Sequence, residues 1–417
     1  MRILYLTYDG LTDPLGQSQI LPYLLGLRER LGDELHLDII SFEKKERYER
    51  QGKALQEFLS AKGIGWHPQR FHRRPPILAK AYDQWLFKQV TWRKARALSP
   101  MAYHARSYVA GWIAHQISQR TGRPWIFDMR GFWADERRDN GLWPASNPFY
   151  RRLYQIWKAR ERVMLQSAPE IIVLTEAAKS TLETWGVGSD RITVIPCAAN
   201  FDSFSLPPSE RLKARQTIRK ALNIPPEGIV FVYSGSMGSH YAPEDAAEII
   251  TAAYQLRKDV YFLILTPHDT SSLQAILKNR GFPPSQYRAI FAPHSEVPLY
   301  LAAADIGIAT VKPAFSKVAM SPTKLAEYLA ADLPVIATAI GDVEKLARQI
   351  PGIFPYRHAS EIPATVCKLL DFSLRGKAEL EVSLSILSRP ILGLQAALDR
   401  YQAIYERVLN RTGQRMS

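Results

Sequence analysis

Cysteine is scarce in this sequence of 417 residues, which contains only Cys197 and Cys367. Two distant cysteines form neither a disulfide framework nor a zinc site with closely spaced ligands. Long hydrophobic runs are also missing, because no stretch approaches the roughly 20 apolar residues that span a bilayer. The first apolar run is too short for a signal-peptide core and is followed by Asp9. We therefore expect it to be a buried strand and the protein to be cytoplasmic.

Acidic residues are in deficit, since 40 Asp and Glu stand against 54 Lys and Arg, giving a formal net charge of +14. A positive surface attracts polyanions such as anionic lipid, phosphorylated substrates or nucleic acid. The sequence has neither zinc-ligand spacing nor an RNA-binding signature, which makes nucleic acid the least favoured partner. The hydrophobic content of 46 % is typical of globular proteins, and the length predicts two domains.

Short apolar runs alternate with longer amphipathic patterns along the chain. This alternation predicts an α/β fold of two doubly wound, Rossmann-like domains, each with a parallel sheet between helices. The first series of predicted strands covers 3–8, 37–42, 124–129, 170–175 and 191–196. The second covers 228–235, 260–266, 288–293, 306–310, 333–338 and 352–356. Loop-forming residues separate the two series, so we expect domains at 1–203 and 204–393 that face each other across a cleft.

Ligands of such sheets bind beyond the carboxyl ends of the strands, and the segment SPTKLAEYLAADLPVIAT carries the strongest signal there. It predicts a helix that begins near Lys324, with Ser321 or Thr323 as its cap and Pro322 at its entry. Unpaired amides of the first helical turn form an anion site, to which Lys324 adds an ammonium group. Glu327 can accept hydrogen bonds from a ribose diol. An ordinary helix with a solvated Lys and Glu remains the alternative.

Polar residues that follow strands of the N-terminal half are candidates for a second site. Gly16 lies in a predicted turn where a ligand can approach the backbone, although a simple tight turn explains it equally. Asp128 and Arg130 follow a predicted strand, and the arginine can brace a carboxylate or clamp an acceptor phosphate, or merely tie the loop. Trp133 can stack on a sugar ring or a lipid chain. His104, near another strand-like region, is a weaker candidate.

Region 72–98 combines basic and aromatic residues. A helix of this composition is typical of a membrane interface, where its cations contact lipid phosphates. An ordinary packed helix with a solvated basic face explains the same pattern. The residues concerned are Arg73, Arg74, Lys80, Lys88, Arg93, Lys94 and Arg96, together with Trp85, Phe87 and Trp92.

The segment SPTKLAEYLAADLPVIAT resembles the donor-binding signature of GT-B-fold glycosyltransferases, particularly the family-4-like retaining group (glycosyl transferases group 1). Other segments follow in that family's order: DPLGQSQ (13–19), FDSF (201–204), YSGSMGSHYAPEDAAEII (233–250) and SEVPLYLAAADIGIAT (295–310). The resemblance implies a retaining hexosyltransferase with a nucleotide diphosphate sugar as donor, uridine being favoured over guanosine. It implies a glycan or lipid-linked acceptor, no metal and no other cofactor, and peripheral contact with an anionic membrane as an option.

The resemblance also implies roles for individual residues. Catalytic roles go to Asp128, Arg130 and Lys324, and acceptor contacts to Trp133 and His104. The C-terminal helix 394–417 is expected to pack on the N-terminal domain, as in the family. The expected donor-binding residues are Gly16, Gly235, Ser236, His294, Ser321, Pro322, Thr323, Lys324 and Glu327.

Two positions depart from the family's pattern. Ala319 stands eight residues before Glu327, where the family has a first acid, and the glycine turn at 235–238 lacks the usual Arg and Lys. Lys324, the amides of this turn and His240 are expected to carry the diphosphate charge instead, and Lys317 is within possible reach of the sugar. A nucleotide-sugar epimerase of the same architecture, or a non-catalytic protein that binds phosphoglycan or membrane, remains open.

Overall fold

The computed structural model of the chain describes residues 1–237, 241–376, 380 and 382–411. The chain divides into two compact units, Met1–Pro196 with the segment from Leu394 onward, and Cys197–Gly393. The division lies slightly before the expected one at 203–204. The reason is that Ala199 pairs with Gly393 and that Phe201 is buried in the core of the second unit.

The first unit contains a seven-stranded, wholly parallel sheet with the strand order β3-β2-β1-β4-β5-β6-β7. The predicted strands of this half are confirmed. The strand β3 was not predicted, and β4 was noted only as a strand-like region near His104, because polar residues such as His67 and His104 interrupt their apolar pattern. The strands are β1 (Arg2–Thr7), β2 (His36–Glu43), β3 (Ile64–Arg70), β4 (Ala102–Arg106), β5 (Trp125–Asp128), β6 (Glu170–Val173) and β7 (Ile192–Val194).

Helices connect these strands, as parallel pairing requires. Several begin at a proline in the first turn, where the missing amide hydrogen costs nothing. The helices are α1 (Pro14–Gln19), α2 (Leu21–Leu31), α3 (Lys45–Ala61), α4 (Pro76–Leu98), α5 (Ser107–Thr121), α6 (Trp133–Asp139), α7 (Pro148–Ser167) and α8 (Glu176–Thr184).

The second unit contains a six-stranded parallel sheet with the order β10-β9-β8-β11-β12-β13. All of its predicted strands are confirmed, since both faces of this sheet are buried and the strands are mostly apolar, although the edge strand β10 is only partly buried and contains Arg288. The strands are β8 (Ile229–Ser234), β9 (Val260–Leu265), β10 (Tyr287–Ile290), β11 (Ile306–Ala309), β12 (Val335–Thr338) and β13 (Ile353–Tyr356). The helices are α9 (Phe201–Phe204), α10 (Pro208–Ala221), α11 (Pro243–Leu256), α12 (Ser271–Asn279), α13 (Val297–Ala302), α14 (Thr323–Ala330), α15 (Val343–Ala347), α16 (Ile362–Asp371) and α17 (Leu384–Leu392).

The last helix, α18 (Leu394–Asn410), belongs to the first unit; positions 412–417 of the expected helix lie outside the described residues. It packs on α2 and buries one side, including Tyr401 and Tyr405. Arg407 donates a hydrogen bond of 2.8 Å to Glu170, whose side chain is entirely buried at the start of β6. A buried carboxylate needs such a partner, so this ion pair fixes the helix to the sheet.

The order of the strands locates the ligand-binding edges of both sheets. The direction of winding reverses between β1 and β4 in the first unit and between β8 and β11 in the second. Ligands of doubly wound sheets bind at these reversals, beyond the carboxyl ends of the strands. The residues that follow β1, β4 and β5, and those that follow β8 and β11, are therefore the places to examine.

We expect Arg407→Met to lower the free energy of unfolding by about 1–3 kcal/mol, because Glu170 stays buried and loses its nearer cation, while Arg411 lies 3.3 Å away. Urea denaturation followed by circular dichroism measures this loss. Arg357→Met breaks an exposed ion pair with Glu344 and serves as the control, with an expected loss below about 1 kcal/mol. Equal losses in the two variants would contradict the anchoring role of Arg407.

Candidate functional site

Lys324, in the first turn of α14, is a buried cation held by aromatic rings. Its Nζ lies 3.7 Å from the ring centre of Tyr233 and 4.2 Å from that of Tyr241. Within the described part of the chain, Nζ has no hydrogen-bond partner, although only 6 % of the residue is exposed. Ring faces attract an ammonium group without using its N–H donors. Those donors therefore remain available to a ligand.

The environment of Lys324 also controls its charge. Burial lowers the pKa of the Lys324 amine to about 7, an effect that the nearby Glu327 carboxylate offsets only in part. Near neutral pH the side chain therefore divides between ammonium and free amine. A bound anion would favour the ammonium form, which couples anion binding to the uptake of a proton.

The start of α14 lacks the cap that we predicted from the sequence. Pro322 is the residue that precedes the helix, and no side chain caps the amides of the first turn. The prediction that Ser321 or Thr323 caps the helix is wrong; Ser321 Oγ instead accepts a hydrogen bond of 3.2 Å from the Cys197 amide. Because no capping hydrogen bond from a side chain uses the first-turn amides, the anion site inferred from the sequence stays a prediction.

The turn after β8 brings bare backbone close to Lys324. Gly235 has φ of 107°, a conformation that favours glycine, and a Cβ placed on it would lie 3.8 Å from Lys324 Nζ. Tyr233 donates a hydrogen bond of 2.6 Å to the carbonyl of Ser236, which holds the aromatic ring beside this turn. Gly238 and His240, to which we also assigned phosphate contacts, lie outside the described residues.

Glu327 and His294 form a pair beside the same helix. His294 Nε2 lies 3.4 Å from Glu327 Oε1, and this hydrogen bond raises the pKa of the histidine. The Glu327 carboxylate is mostly buried, whereas more than half of the His294 side chain is exposed. The structure thus brings together Lys324, Glu327 and His294. Ala319 is buried and leaves no carboxylate eight residues before Glu327.

The ends of β11 and β12 carry hydroxyl groups that the sequence analysis did not single out. Thr310 follows β11, and its buried Oγ1 has no hydrogen-bond partner in the part of the chain that the structure describes. Thr338 ends β12 and accepts a hydrogen bond of 2.9 Å from the Val311 amide. Threonine is common in strands, so nothing in the local sequence distinguishes these two from ordinary strand residues.

In the first unit, Asp128 ends β5 and is fully buried among cations. Its carboxylate lies 3.8 Å from Arg130 and 3.7 Å from Arg106, and Tyr401 donates a hydrogen bond of 3.2 Å to it. Burial alone would raise the pKa of Asp128, but Arg130, His104 and Arg106 outweigh it and hold the pKa below the usual value. Asp128 is therefore a carboxylate at neutral pH, and its charge orients both arginines.

His104 supports Asp128 rather than an acceptor. It lies inside β4, is 1 % exposed, and its Nε2 is 3.7 Å from Asp128. Its Nδ1 is 2.8 Å from the hydroxyl oxygen of Tyr405, and burial lowers its pKa. The predicted acceptor contact is not supported, because the strand places this imidazole beneath the surface. Tyr401 and Tyr405 reach the cluster from the distant α18, which no local pattern indicates.

The Arg130 turn carries backbone strain. Arg130 has φ of 59°, a left-handed conformation that costs a residue with a side chain roughly 1–2 kcal/mol. Its guanidinium lies 3.5 Å from the Gln19 side-chain oxygen. Ser107, which follows the neighbouring β4, is also left-handed, with φ of 67°. Strain of this kind is tolerated where surrounding contacts fix the turn, and it is common at functional sites.

Two further predicted contacts are corrected. Gly16 lies within α1, and a Cβ on it would lie 2.2 Å from the Gly10 carbonyl oxygen, so close packing rather than a ligand requires glycine there. Trp133 stacks on Tyr108 and packs edge-on against Trp157. Its ring is therefore part of an aromatic cluster that supports the Asp128–Arg130 turn, and not a free platform for a sugar.

The described residues contain neither a cluster of metal ligands nor a helix that could span a membrane. No group of three or more His, Cys, Asp or Glu side chains is arranged to hold a metal ion within them. Among those same residues, no helix combines the length and the apolar character needed to cross a membrane.

Comparison with protein families gives two matches that together cover most of the chain. Residues 22–198 match the family model described as glycosyl transferase 4-like domain. Residues 228–371 match the family model described as glycosyl transferases group 1. A search of curated proteins finds no match.

Solved structures with the same fold cover nearly the full length. Anabaena Alr3699/HepE in complex with UDP and glucose is 13 % identical, with a TM-score of 0.67 and coverage of 97 % of this chain and 99 % of that one. Sucrose-phosphate synthase from Thermosynechococcus elongatus is 14 % identical, with a TM-score of 0.68 and coverage of 99 % and 100 %. A candidate UDP-N-acetylglucosamine 2-epimerase from Listeria monocytogenes is 11 % identical, with a TM-score of 0.58 and coverage of 100 % and 98 %.

We expect the binding of uridine diphosphate at pH 8 to take up about one proton at Lys324. Above pH 7 the free protein mostly holds the neutral amine, and the diphosphate restores the ammonium form. Calorimetric titrations in two buffers of different ionisation enthalpy measure the number of protons. Lys324→Met is the control, because it removes this group while the ligand's own titration remains. Equal proton uptake in the protein and this variant would contradict the assignment.

Proposed function

Because the chain belongs to the glycosyltransferases of the GT-B fold, we propose that it moves a hexosyl group from a nucleotide diphosphate sugar to a glycan or lipid-linked acceptor, with retained configuration. The observation that carries this proposal is the buried Lys324 ammonium at the open start of α14, which has no hydrogen-bond partner among the described residues. A cation that is hydrogen-bonded to no carboxylate of the described residues, at the ligand-binding edge of a doubly wound sheet, is suited to a diphosphate.

The donor is expected to bind in the second unit. Its diphosphate would contact Lys324, the first-turn amides of α14 and the Gly235 turn. Glu327 would accept the ribose hydroxyls, held in place by His294. We favour uridine over guanosine as the base. The Anabaena protein of the same fold, which was crystallised with UDP and with UDP-glucose, supports that preference.

The chemistry that we propose requires positioning and charge neutralisation. As the glycosidic bond breaks, negative charge grows on the leaving diphosphate, and Lys324 and the helix start are placed to stabilise it. With retained configuration, a leaving phosphate oxygen takes the proton of the attacking hydroxyl, so no pair of catalytic carboxylates is required. The protein's main task is then to align donor and acceptor. The scheme calls for no metal, since the ammonium and the helix start supply positive charge.

The acceptor is expected to bind in the first unit, at the ends of β1, β4 and β5. Arg130 is the principal candidate there, because its strained turn presents a guanidinium fixed by the Asp128 carboxylate. Such a planar group can hold a phosphate through two parallel hydrogen bonds, or bind sugar hydroxyls. Arg106 extends the same cationic cluster at the end of β4.

We propose that the protein works in the cytoplasm, at the inner face of the membrane.

An epimerase is the second candidate, favoured by the fold that the chain shares with the Listeria protein. Incubation of the chain with a single UDP-sugar and no acceptor separates the two functions. An epimerised sugar nucleotide would support the epimerase, whereas transfer requires an added acceptor. Failure to bind any nucleoside diphosphate in calorimetry would instead favour a non-catalytic protein that binds phosphoglycan or membrane.

We expect Lys324→Ala to reduce turnover at least about 100-fold, which corresponds to about 3 kcal/mol of barrier. The variant removes the charge that faces the leaving diphosphate, and its thermal unfolding should stay close to that of the unchanged protein. Steady-state kinetics with a UDP-sugar measure the effect. Lys278→Ala, on the exposed end of α12, is the control and should retain full turnover. Near-normal turnover of Lys324→Ala would contradict the assigned role.

A further inference from the structure

Helices α4, α5 and α7 form one continuous layer of the first unit. The Arg120 guanidinium of α5 lies 5.7 Å from the ring centre of Trp92 in α4. The Arg160 guanidinium of α7 lies 4.9 Å from the ring centre of Trp112 in α5. These contacts join the helices in the order α4, α5, α7, and we call the three together the basic layer.

The charge of the basic layer is one-sided. Its helices α4, α5 and α7 carry five, one and five Lys or Arg residues, but only two acids, Asp83 and Glu161. Both acids are buried, with 0 % and 1 % exposure. Asp83 is bound by His72 and Tyr8, and Glu161 by Tyr108 and Lys158. The side of the layer that meets solvent is therefore positive.

Large apolar side chains are exposed among these cations. On α4, Leu78, Tyr82 and Trp85 recur at spacings of four and three residues and so share one face, and Ile77 directly precedes Leu78. On α7 they recur every seven residues and form a stripe. The exposed residues are Ile77, Leu78, Tyr82 and Trp85 on α4, and Phe149, Ile156 and Val163 on α7. Exposed apolar side chains that share one helix face are candidates for an interaction site.

The structure shows which residues of region 72–98 are exposed and can contact a partner. Phe87 is fully buried, and Trp92 is half-buried beneath Arg120, so neither is presented to a partner. Trp85 remains exposed, with 55 % of its surface accessible, and Leu78 is 68 % exposed. The exposed apolar side chains of the basic layer therefore lie at the N-terminal end of α4 and along α7. Not all of the aromatic residues that we singled out in region 72–98 belong to this surface.

We propose that the basic layer docks on a lipid bilayer rich in anionic phospholipids. Leu78, Tyr82 and Trp85 enter the headgroup region, where apolar and aromatic side chains gain most from leaving water. The lysines and arginines contact lipid phosphates, their aliphatic stems lying along the apolar surface. The choice of this partner over nucleic acid rests on the aliphatic residues, because single-stranded nucleic acid is held mainly by stacking on aromatic rings, whereas exposed leucine, isoleucine and valine gain most by entering a lipid interface.

This inference deepens the proposed function, since it rests on an acceptor that is presented at a membrane. It can be measured without any donor or acceptor. Co-sedimentation of the full chain with phosphatidylcholine vesicles, with and without phosphatidylglycerol, tests it. We expect binding only to vesicles that contain phosphatidylglycerol, and release as the salt concentration rises.

The apolar contribution is tested by the double variant Leu78→Ser and Trp85→Ser. We expect its affinity for the anionic vesicles to fall about tenfold or more, with thermal unfolding unchanged because both residues are exposed. Leu212→Ser, on α10 of the second unit, is the matched control, since Leu212 is 56 % exposed. This control should bind vesicles as the unchanged protein does. Equal losses in the two variants would overturn the proposal.

The charge contribution is tested by the double variant Arg151→Glu and Arg152→Glu at the start of α7. Each reversal replaces an attraction to the bilayer by a repulsion, so the affinity should fall about tenfold or more. Lys278→Glu on α12 is the control for a change of net charge elsewhere, and should reduce binding far less. A protein that ignores anionic vesicles at low salt, or binds RNA in their place, would overturn the docking surface.

Failure of this inference can be distinguished from failure of the proposed function. Calorimetry with uridine diphosphate reports on the Lys324 site without vesicles. Vesicle binding without diphosphate binding would preserve the docking surface and remove the glycosyltransferase proposal. Diphosphate binding without vesicle binding would preserve the enzyme and overturn the docking surface.

Discussion

The proposed chemistry depends on one interaction, the burial of the Lys324 ammonium over the rings of Tyr233 and Tyr241, where no carboxylate of the described residues is hydrogen-bonded to it. Burying a cation is costly, and the two rings offset only part of that cost. The cost of burial that is not offset lowers the pKa of Lys324 to about 7, so the side chain can gain a proton when an anion binds. The open start of α14 and the Gly235 turn place backbone around the same position. Structure and charge thus favour the same ligand, a diphosphate.

The first unit buries a charge of the opposite sign, the Asp128 carboxylate. Asp128 remains ionised because Arg130 and Arg106 surround it, while His104 and the tyrosines of α18 fix its position. The carboxylate in turn holds two guanidinium groups at the ends of β4 and β5. One unit therefore holds a buried lysine, to which we assign the anionic donor, and the other holds an ordered cationic cluster, to which we assign the acceptor. Both clusters lie where the winding of a parallel sheet reverses, as the fold requires.

Much of this arrangement could be predicted from sequence, and the errors have physical causes. The apolar strands of the second unit were predictable because both faces of that sheet are buried, and the position of Lys324 followed from its place at a helix start. His104 was misplaced because its polar strand lacks a clear apolar pattern. Gly16 was misinterpreted because its close neighbour is backbone, which leaves no trace in the sequence. Arg106, Tyr401 and Tyr405 were missed, since their roles depend on contacts between distant segments.

The central claim is tested most directly by the titration of Lys324 itself. Nuclear magnetic resonance of the lysine side chains, with Lys324→Met to assign the signal, gives its pKa in the free protein and in the complex with uridine diphosphate. The account predicts a pKa of about 7 in the free protein and a much higher value in the complex. A free-protein pKa near the model-peptide value of about 10.4, or no change on adding the ligand, would contradict it.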